Sequence, residues 1–469
     1  IYWDRPCSGR RTTESVNLSR FCPGVRTMSA FSNLPVLVGE ISVDVTITKR
    51  GEEKKLRLGG IIHAARGFWA NGTRFRVAAV MPEYLKPLAR DYLAAIGCVD
   101  FVVLGVIDGA PNITLISDPT EVSDQEYDTL LRYEKITTLI DCSQFFAEVT
   151  DALIFPGSYN LQDVCSMLPA ECKVHIDAAY DMPNPQDLAS IPQVMQTIFF
   201  STSSPLFKNL DDGDLKEVVE LFAPCSPKQL VFKENRGGSQ LYNSEDSSVE
   251  VLPAQLGETI NSVGVGDVFA ASYLAHLNKG AVEAGWRATR AAAAYSQTTV
   301  PDLFMSYVQR SLKNSLEDLK NLGGTFLPWA DRKSFSIYFA APDFTDVDRS
   351  AMQAAIDALD YHNFRLRRPI QENGELPKGS DLFLLRDTFR KDCELLSECS
   401  AVFAVPLNRD PGTLVEIGLA IADKKPVITY DPFRECGNTM VIAGSMCYSD
   451  NLDQCLNATF EAIARQRTC

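Results

Sequence analysis

Apolar positions along this chain follow two periods that keep trading places. Short apolar runs with strand character stand at 36–47, 76–81, 101–106, 113–117, 138–141, 152–155, 173–177, 197–201 and 229–233. The stretches between them carry apolar residues at helical spacing. Strands alternating with helices predict an α/β fold with a large, mostly parallel sheet and helices on both faces. The shorter runs between 47 and 57 and between 112 and 117 predict a small lid. Leucines at helical spacing predict a helix over 307–322. Gly323-Gly-Thr-Phe-Leu-Pro-Trp-Ala-Asp-Arg-Lys333 then supplies Gly, Pro and charge, the composition of a linker. A second, smaller series follows: a strand from Ser336 ending in an aromatic-lined loop at 344, a helix from Lys391 feeding a strand that ends at Val405, a strand at 425–430 and a last helix over 452–464. The chain is therefore expected to hold two domains, 28–322 and 334–469, joined by the linker 323–333. Residues 1–27, rich in Arg, Ser and Cys and without an apolar signal core, are expected to be an extension outside the fold, with Met28 opening the first domain.

Composition narrows the function classes. The 469 residues are 45% apolar and 22% charged, which suits a globular protein of two or three domains. No apolar run approaches the roughly 18 residues of a membrane span, so no membrane partner is expected. A net charge of −15 excludes a nucleic-acid surface built on clustered Lys and Arg. Small anions can still bind to backbone N–H groups at a helix start. Thirteen scattered cysteines without a C-x-x-C pair, and only four histidines, suit reduced thiols and a cytoplasmic location better than a disulfide framework or zinc site.

Chemistry concentrates in Asp410-Pro-Gly-Thr-Leu-Val-Glu416-Ile-Gly-Leu-Ala420. Apolar runs on either side read it as strand, loop, helix, strand. Asp410 then stands at the carboxyl end of a strand and Glu416 in the first turns of a helix, the edge where open α/β sheets bind ligands. Two carboxylates there suit attack on a sugar–base bond, one as nucleophile and one holding or protonating the leaving group. The structural alternative is that Asp410 caps the helix and Glu416 is a solvated helix residue.

With Ser336-Ile-Tyr-Phe-Ala-Ala-Pro-Asp-Phe344, the Asp392 helix, the D-x(5)-E-x-G pattern and Lys425-Pro-Val, residues 334 to about 450 resemble the nucleoside 2-deoxyribosyltransferase family. The resemblance implies a doubly wound parallel sheet without a cofactor. It implies Glu416 as nucleophile, Tyr338 orienting it, Asp392 holding the sugar or assisting the leaving base, and Asp410 facing the base. It also implies that Asn438 and Met440 of Asn438-Thr-Met440 complete a neighbouring subunit's site, hence a homo-oligomer. An N-glycosidase acting on a nucleotide or NAD, with water as acceptor, is the alternative activity.

A second signal is Asn261-Ser-Val-Gly264-Val-Gly266-Asp267 ahead of an Ala-rich helix. Glycine N–H groups at a helix start can hold a transferring phosphoryl group, and Asp267 could take the proton of the attacking hydroxyl. With Asp44 late in the first strand and the pair Gly59-Gly60, this order resembles the PfkB/ribokinase family of sugar and nucleoside kinases over residues 34 to about 315. That implies ATP and Mg²⁺, a sugar or nucleoside gripped by Asp44, Gly59 and Gly60, and phosphates over Gly264, Gly266 and the loop ending at Gly238. Three places depart from the family pattern. Ala64 stands for its sugar-gripping Asn, Lys233 for its loop Thr, and Phe200-Ser-Thr-Ser-Ser-Pro-Leu-Phe207 for its Mg²⁺-organising N-x-x-E. His63 is expected to be a satisfied helix-start residue, Arg236 to be either a phosphate contact or a solvated loop residue, and Asp343, Asp346 and the run Arg365–Arg368 to be solvated.

Overall fold

The structure, a computed structural model, describes residues 34–47, 55–178, 182, 184–343, 347–377 and 379–467. The extension 1–27, Met28, Asp346 and most of the 47–57 run lie outside them.

The N-terminal strands are β1 (Val36–Thr46), β2 (Lys55–Gly60), β3 (Phe75–Met81), β4 (Cys98–Asp108), β5 (Ile113–Ile116), β6 (Tyr127–Leu130), β7 (Ile136–Leu139), β8 (Asp151–Ile154), β9 (Lys173–Asp177), β10 (Val194–Ser201), β11 (Gln229–Lys233), β12 (Ser239–Asn243) and β13 (Ser248–Leu252). The main path runs β13-β12-β11-β10-β9-β8-β1-β3-β4-β7. Its centre, β11 to β4, is parallel, and both edges are antiparallel. Central strands such as β3 are buried along their whole length, which explains the apolar run of β3 from Val77 to Met81. Two apolar clusters form the layers above and below this sheet.

β1 is long enough to leave the main sheet. Its second half pairs with β2 and with β5, which pairs with β6, and together these make the expected lid. The expected helix over 307–322 is broken. One helix spans Pro301–Ser311 and another Leu316–Asn321, because Ser315 caps the second in a reciprocal box with Asp318.

The C-terminal strands are β14 (Ser336–Ala340), β15 (Arg365–Arg367), β16 (Ala401–Ala404), β17 (Val427–Tyr430) and β18 (Cys447–Ser449). They form a separate, all-parallel sheet in the order β15-β14-β16-β17-β18. Strand order reverses between β14 and β16, so the connections leaving their carboxyl ends diverge and open a crevice there. The segment 323–333 packs against both sheets. Thr325 bridges to Ala254, and Leu327 and Arg332 are fully buried. Arg332 donates to the carbonyls of Glu234 at 2.7 Å and His362 at 3.2 Å, joining the two halves.

Candidate active site

The crevice between β14 and β16 holds the carboxylates of the sequence motif. β14 carries Tyr338, fully buried, under the crevice floor. β16 ends at Ala404, and the chain turns through Asp410 into the helix Pro411–Ala422, whose second turn presents Glu416. The Tyr338 hydroxyl donates to Glu416 Oε1 at 2.6 Å. Burial pushes the Glu416 carboxyl up to about 7; the Tyr338 hydrogen bond opposes this, and the charges of Asp392 and Asp410 add to it. Burial and the adjacent Glu416 raise the Tyr338 phenol, which keeps it a donor.

Asp392 enters from the helix Leu382–Glu398. Burial raises its carboxyl, against a 2.7 Å hydrogen bond from Asn373 Nδ2. Asp410 caps the next helix, with Oδ2 accepting from Thr413 N at 2.7 Å and Thr413 Oγ1 at 2.9 Å. The capping alternative for Asp410 is thus realised, and its carboxylate still lines the cavity. That cavity, of about 330 Å³, brings together Asp392, Asp410, Glu416, Asp343 and Arg368. A second, more apolar cavity of about 370 Å³ shares Glu416 and Asp392 and is walled by Tyr338, Phe389, Val415 and Leu419.

Asp343 and Arg368 depart from the expectation of solvated faces: they pair with each other inside this wall. Their signal was positional, because each follows the carboxyl end of a strand of the reversing sheet, β14 or β15. Asn373 carried no signal of its own. Asn438 caps the helix Thr439–Gly444, accepting from Met440 N at 2.9 Å, and Met440 is 77% exposed. Neither lines the cavity formed by its own chain.

The N-terminal motif is built differently. Gly264, in the left-handed region (φ +82°), begins the helix Val265–His276, and a Cβ there would fall within 2.2 Å of the His63 ring. Gly59 lies on β2 opposite Ser42, where a Cβ would overlap the Asp44 carboxylate, and Gly60 ends that strand. The carboxylate that the kinase resemblance assigns to a sugar is held by the protein itself. His63 Nε2 donates to Asp44 Oδ2 at 2.8 Å, and Arg57 Nε stands 3.8 Å from the same oxygen. Tyr295 donates to His63 Nδ1 at 2.7 Å and accepts from Arg66 at 3.1 Å. Burial drops the His63 imidazole to about 4, against the pull of Asp44, so it is neutral. Burial alone would raise Asp44, but the His63 hydrogen bond and the charges of Arg57 and Arg66 hold it below its ordinary range.

Asp267 sits in the first turn of the helix, its carboxyl pushed up to about 7 by burial and by the charge of Asp177, with Lys233 opposing. Beside it lies a cavity of about 200 Å³ that reaches Gly238, Gly264 and Gly266. Asp44, Gly59 and Gly60 are not in its wall. Among the described residues, both cations of that wall are already neutralised, Lys233 by Asp177 at 2.7 Å and Arg236 by Asp453 at 2.8 Å. Arg236 therefore binds the C-terminal domain and offers no free charge to a triphosphate. Among the described residues no group of three or more His, Cys, Asp or Glu side chains is placed to hold a metal, and no helix is long and apolar enough to cross a membrane.

Comparison with known proteins follows the same division. No curated protein matches the chain. Three structures similar to the N-terminal part are a ribokinase from Giardia lamblia (14% identity, TM-score 0.45, 60% of this chain and 99% of that one), a ribokinase from Arabidopsis thaliana complexed with ribose and ATP (17%, 0.44, 60% and 99%) and phosphofructokinase-2 from Escherichia coli in complex with fructose-6-phosphate (13%, 0.45, 59% and 98%). Residues 337–460, which contain the Tyr338–Glu416 pair and both flanking aspartates, match the family model of nucleoside 2-deoxyribosyltransferase.

Proposed function

We propose that the C-terminal domain transfers or hydrolyses the N-glycosyl bond of a nucleoside or deoxynucleoside through Glu416. The carrying observation is the Tyr338–Glu416 hydrogen bond at the floor of a cavity that also holds Asp392 and Asp410. A Glu416 oxygen attacks the anomeric carbon as the carbon–nitrogen bond breaks, and Asp392 supplies the proton the departing base requires. The resulting glycosyl ester is resolved by a second base or by water, with Asp392 taking back the proton. Asp410 orients the base from the helix cap. Leu382, Phe383, Leu385 and Phe389 are exposed apolar residues on one helix beside this site. A second copy of the chain covers that face and brings Asn438 and Met440 to its neighbour, and light scattering of Phe383→Glu tests this by loss of the oligomer.

The test of the activity is chromatography of free base released from 2′-deoxynucleosides, ribonucleosides, their monophosphates and NAD, with and without an acceptor base. Exchange establishes a transferase and release alone a hydrolase. Turnover that survives in Glu416→Ala overturns the assignment. For the N-terminal domain, the His63–Asp44 bond favours a ligand-binding role over phosphoryl transfer to a sugar, since the gripping carboxylate is already occupied.

A further inference from the structure

The cavity beside Asp267 is not made by the N-terminal domain alone. Leu252, Ala254, Thr289, Ala292 and Ala293 give it a largely apolar wall. The C-terminal domain contributes His362 and Asn457 to the same wall as the helix start at Gly264. The strap 118–126 runs from the lid over the same space and ties both halves. Ser262 N donates to the Pro119 carbonyl at 2.7 Å, Gln125 donates to Ser262 Oγ at 2.6 Å, and Tyr361 donates to Glu121 Oε1 at 3.1 Å.

His362 is the anomaly of this wall. It is fully buried; the strap's Glu121 and Val122 backbone groups approach its ring, yet neither ring nitrogen makes a hydrogen bond of good geometry. A buried imidazole left so costs free energy that a ligand with complementary polar atoms would recover. The charge balance says what kind of ligand. Lys233 and Arg236 are paired, while Glu121 and Asp267 add acid to the wall, so among the described residues a polyanion finds no free cation. The volume, about 200 Å³, falls below the usual range for drug-sized ligands. A small uncharged ring compound fits both facts. It would stack on the apolar wall and exchange hydrogen bonds with His362 and with the N–H groups at the helix start.

We propose that this interdomain cavity binds a free nucleobase or nucleoside, not a nucleoside triphosphate, and that its occupancy reports to the Glu416 site. The connection is short. His362 ends the helix Ser350–Tyr361, β15 begins three residues later, and the residue after β15 is Arg368, which pairs with Asp343 in the Glu416 cavity. A ligand that draws on His362 therefore acts on the strand that positions Arg368. The binding half of this inference stands on the cavity alone, whereas the coupling half rests on the proposed role of Glu416.

Calorimetric titration of the full chain, as wild type and as Glu416→Ala, with adenine, guanine, uracil, their nucleosides and ATP–Mg²⁺ separates the two halves. The expected result is two sites per chain for a base or nucleoside. One of them is weakened at least tenfold in His362→Gln, and ATP–Mg²⁺ binds that site at least tenfold more weakly than the nucleoside. Ala293→Phe, which fills the cavity from the N-terminal domain's wall, should remove the same site, so the test does not depend on one variant folding. Hydrogen exchange in saturating ligand should then slow in the strap and change across 365–372. A single site unaffected by either substitution, or ATP–Mg²⁺ binding more tightly than any base or nucleoside, overturns the binding half. Unchanged exchange at 365–372 with the cavity filled overturns the coupling. None of these readouts requires turnover.

Discussion

Two acids, Glu416 in the C-terminal domain and Asp44 on β1 in the N-terminal one, are held in opposite ways. Among the described residues, Glu416 hydrogen-bonds only the Tyr338 hydroxyl and otherwise faces a cavity. Asp44 is engaged by His63 and Arg57, and His63 is itself wedged against Gly264. The lesson concerns the state of the acid more than its presence. A carboxylate left facing open space is available to a ligand, whereas one already held by internal partners must first give them up.

The largest expected effect breaks the first side of this comparison. Glu416→Gln should lower base release by about 10³-fold or more, about 4 kcal/mol in barrier, because no other carboxylate shares its bond to Tyr338. Its stability should move the other way. Glu416 has a folded-state value of about 7, above its ordinary 4.5, so folding loses stability as pH rises from about 4.5 through 7. The Gln variant escapes that loss, and urea unfolding should show it more stable than wild type at pH 8 and equal to it near pH 4. Equal midpoints at pH 8 would mean that Glu416 is solvated.

Next in size, His63→Ala breaks the second side. It strips Asp44 of its nearest partner in a buried site and should cost about 3 kcal/mol in urea unfolding. Were Asp44 instead waiting for a sugar, the substitution would open the pocket at little cost, and ribose or a nucleoside would raise the melting temperature of the variant.

Tyr338→Phe sharpens the comparison by touching only the bond to Glu416. Loss of a hydrogen bond to a charged group is worth about 2 kcal/mol, or about 30-fold in rate. Because that bond holds the Glu416 carboxyl down, its removal should move the acid limb of the pH–rate profile above about 7, and the defect should be larger at pH 6 than at pH 9. A uniform loss at all pH values would assign Tyr338 to packing.

Much of this was legible in the sequence, for physical reasons. β3, β14 and β16 are buried on both faces, so most of their positions are apolar, and the strand–turn–helix around Asp410 and Glu416 is short-range. The lid was readable because β1 and β5 keep their apolar runs beyond the main sheet. What the sequence hid was pairing across distance. His63 looked like a helix-start residue because Asp44 lies 19 positions away, and Arg236 looked like either a phosphate contact or a solvated loop residue because Asp453 lies in the other domain. The break at 312–315 was hidden by leucines that keep helical spacing across it, while Ser315 and Asp318 form a local capping box strong enough to restart the helix.

The smallest expected effect decides between the two readings of Asp410, cap and catalytic neighbour. Asp410→Asn keeps an oxygen to accept from Thr413 N and Thr413 Oγ1, and Asn caps helices as well as Asp does. It removes a charge that helps hold the Glu416 carboxyl up, so the acid limb should move to lower pH, opposite to Tyr338→Phe. Asp410→Ala removes cap and charge together, adding about 1 kcal/mol of lost stability. If Asp410 also orients the base, the Asn variant should keep wild-type stability yet show a raised KM at every pH. If it is only a cap, the Asn variant should match wild type in KM and differ from it solely in the position of the acid limb.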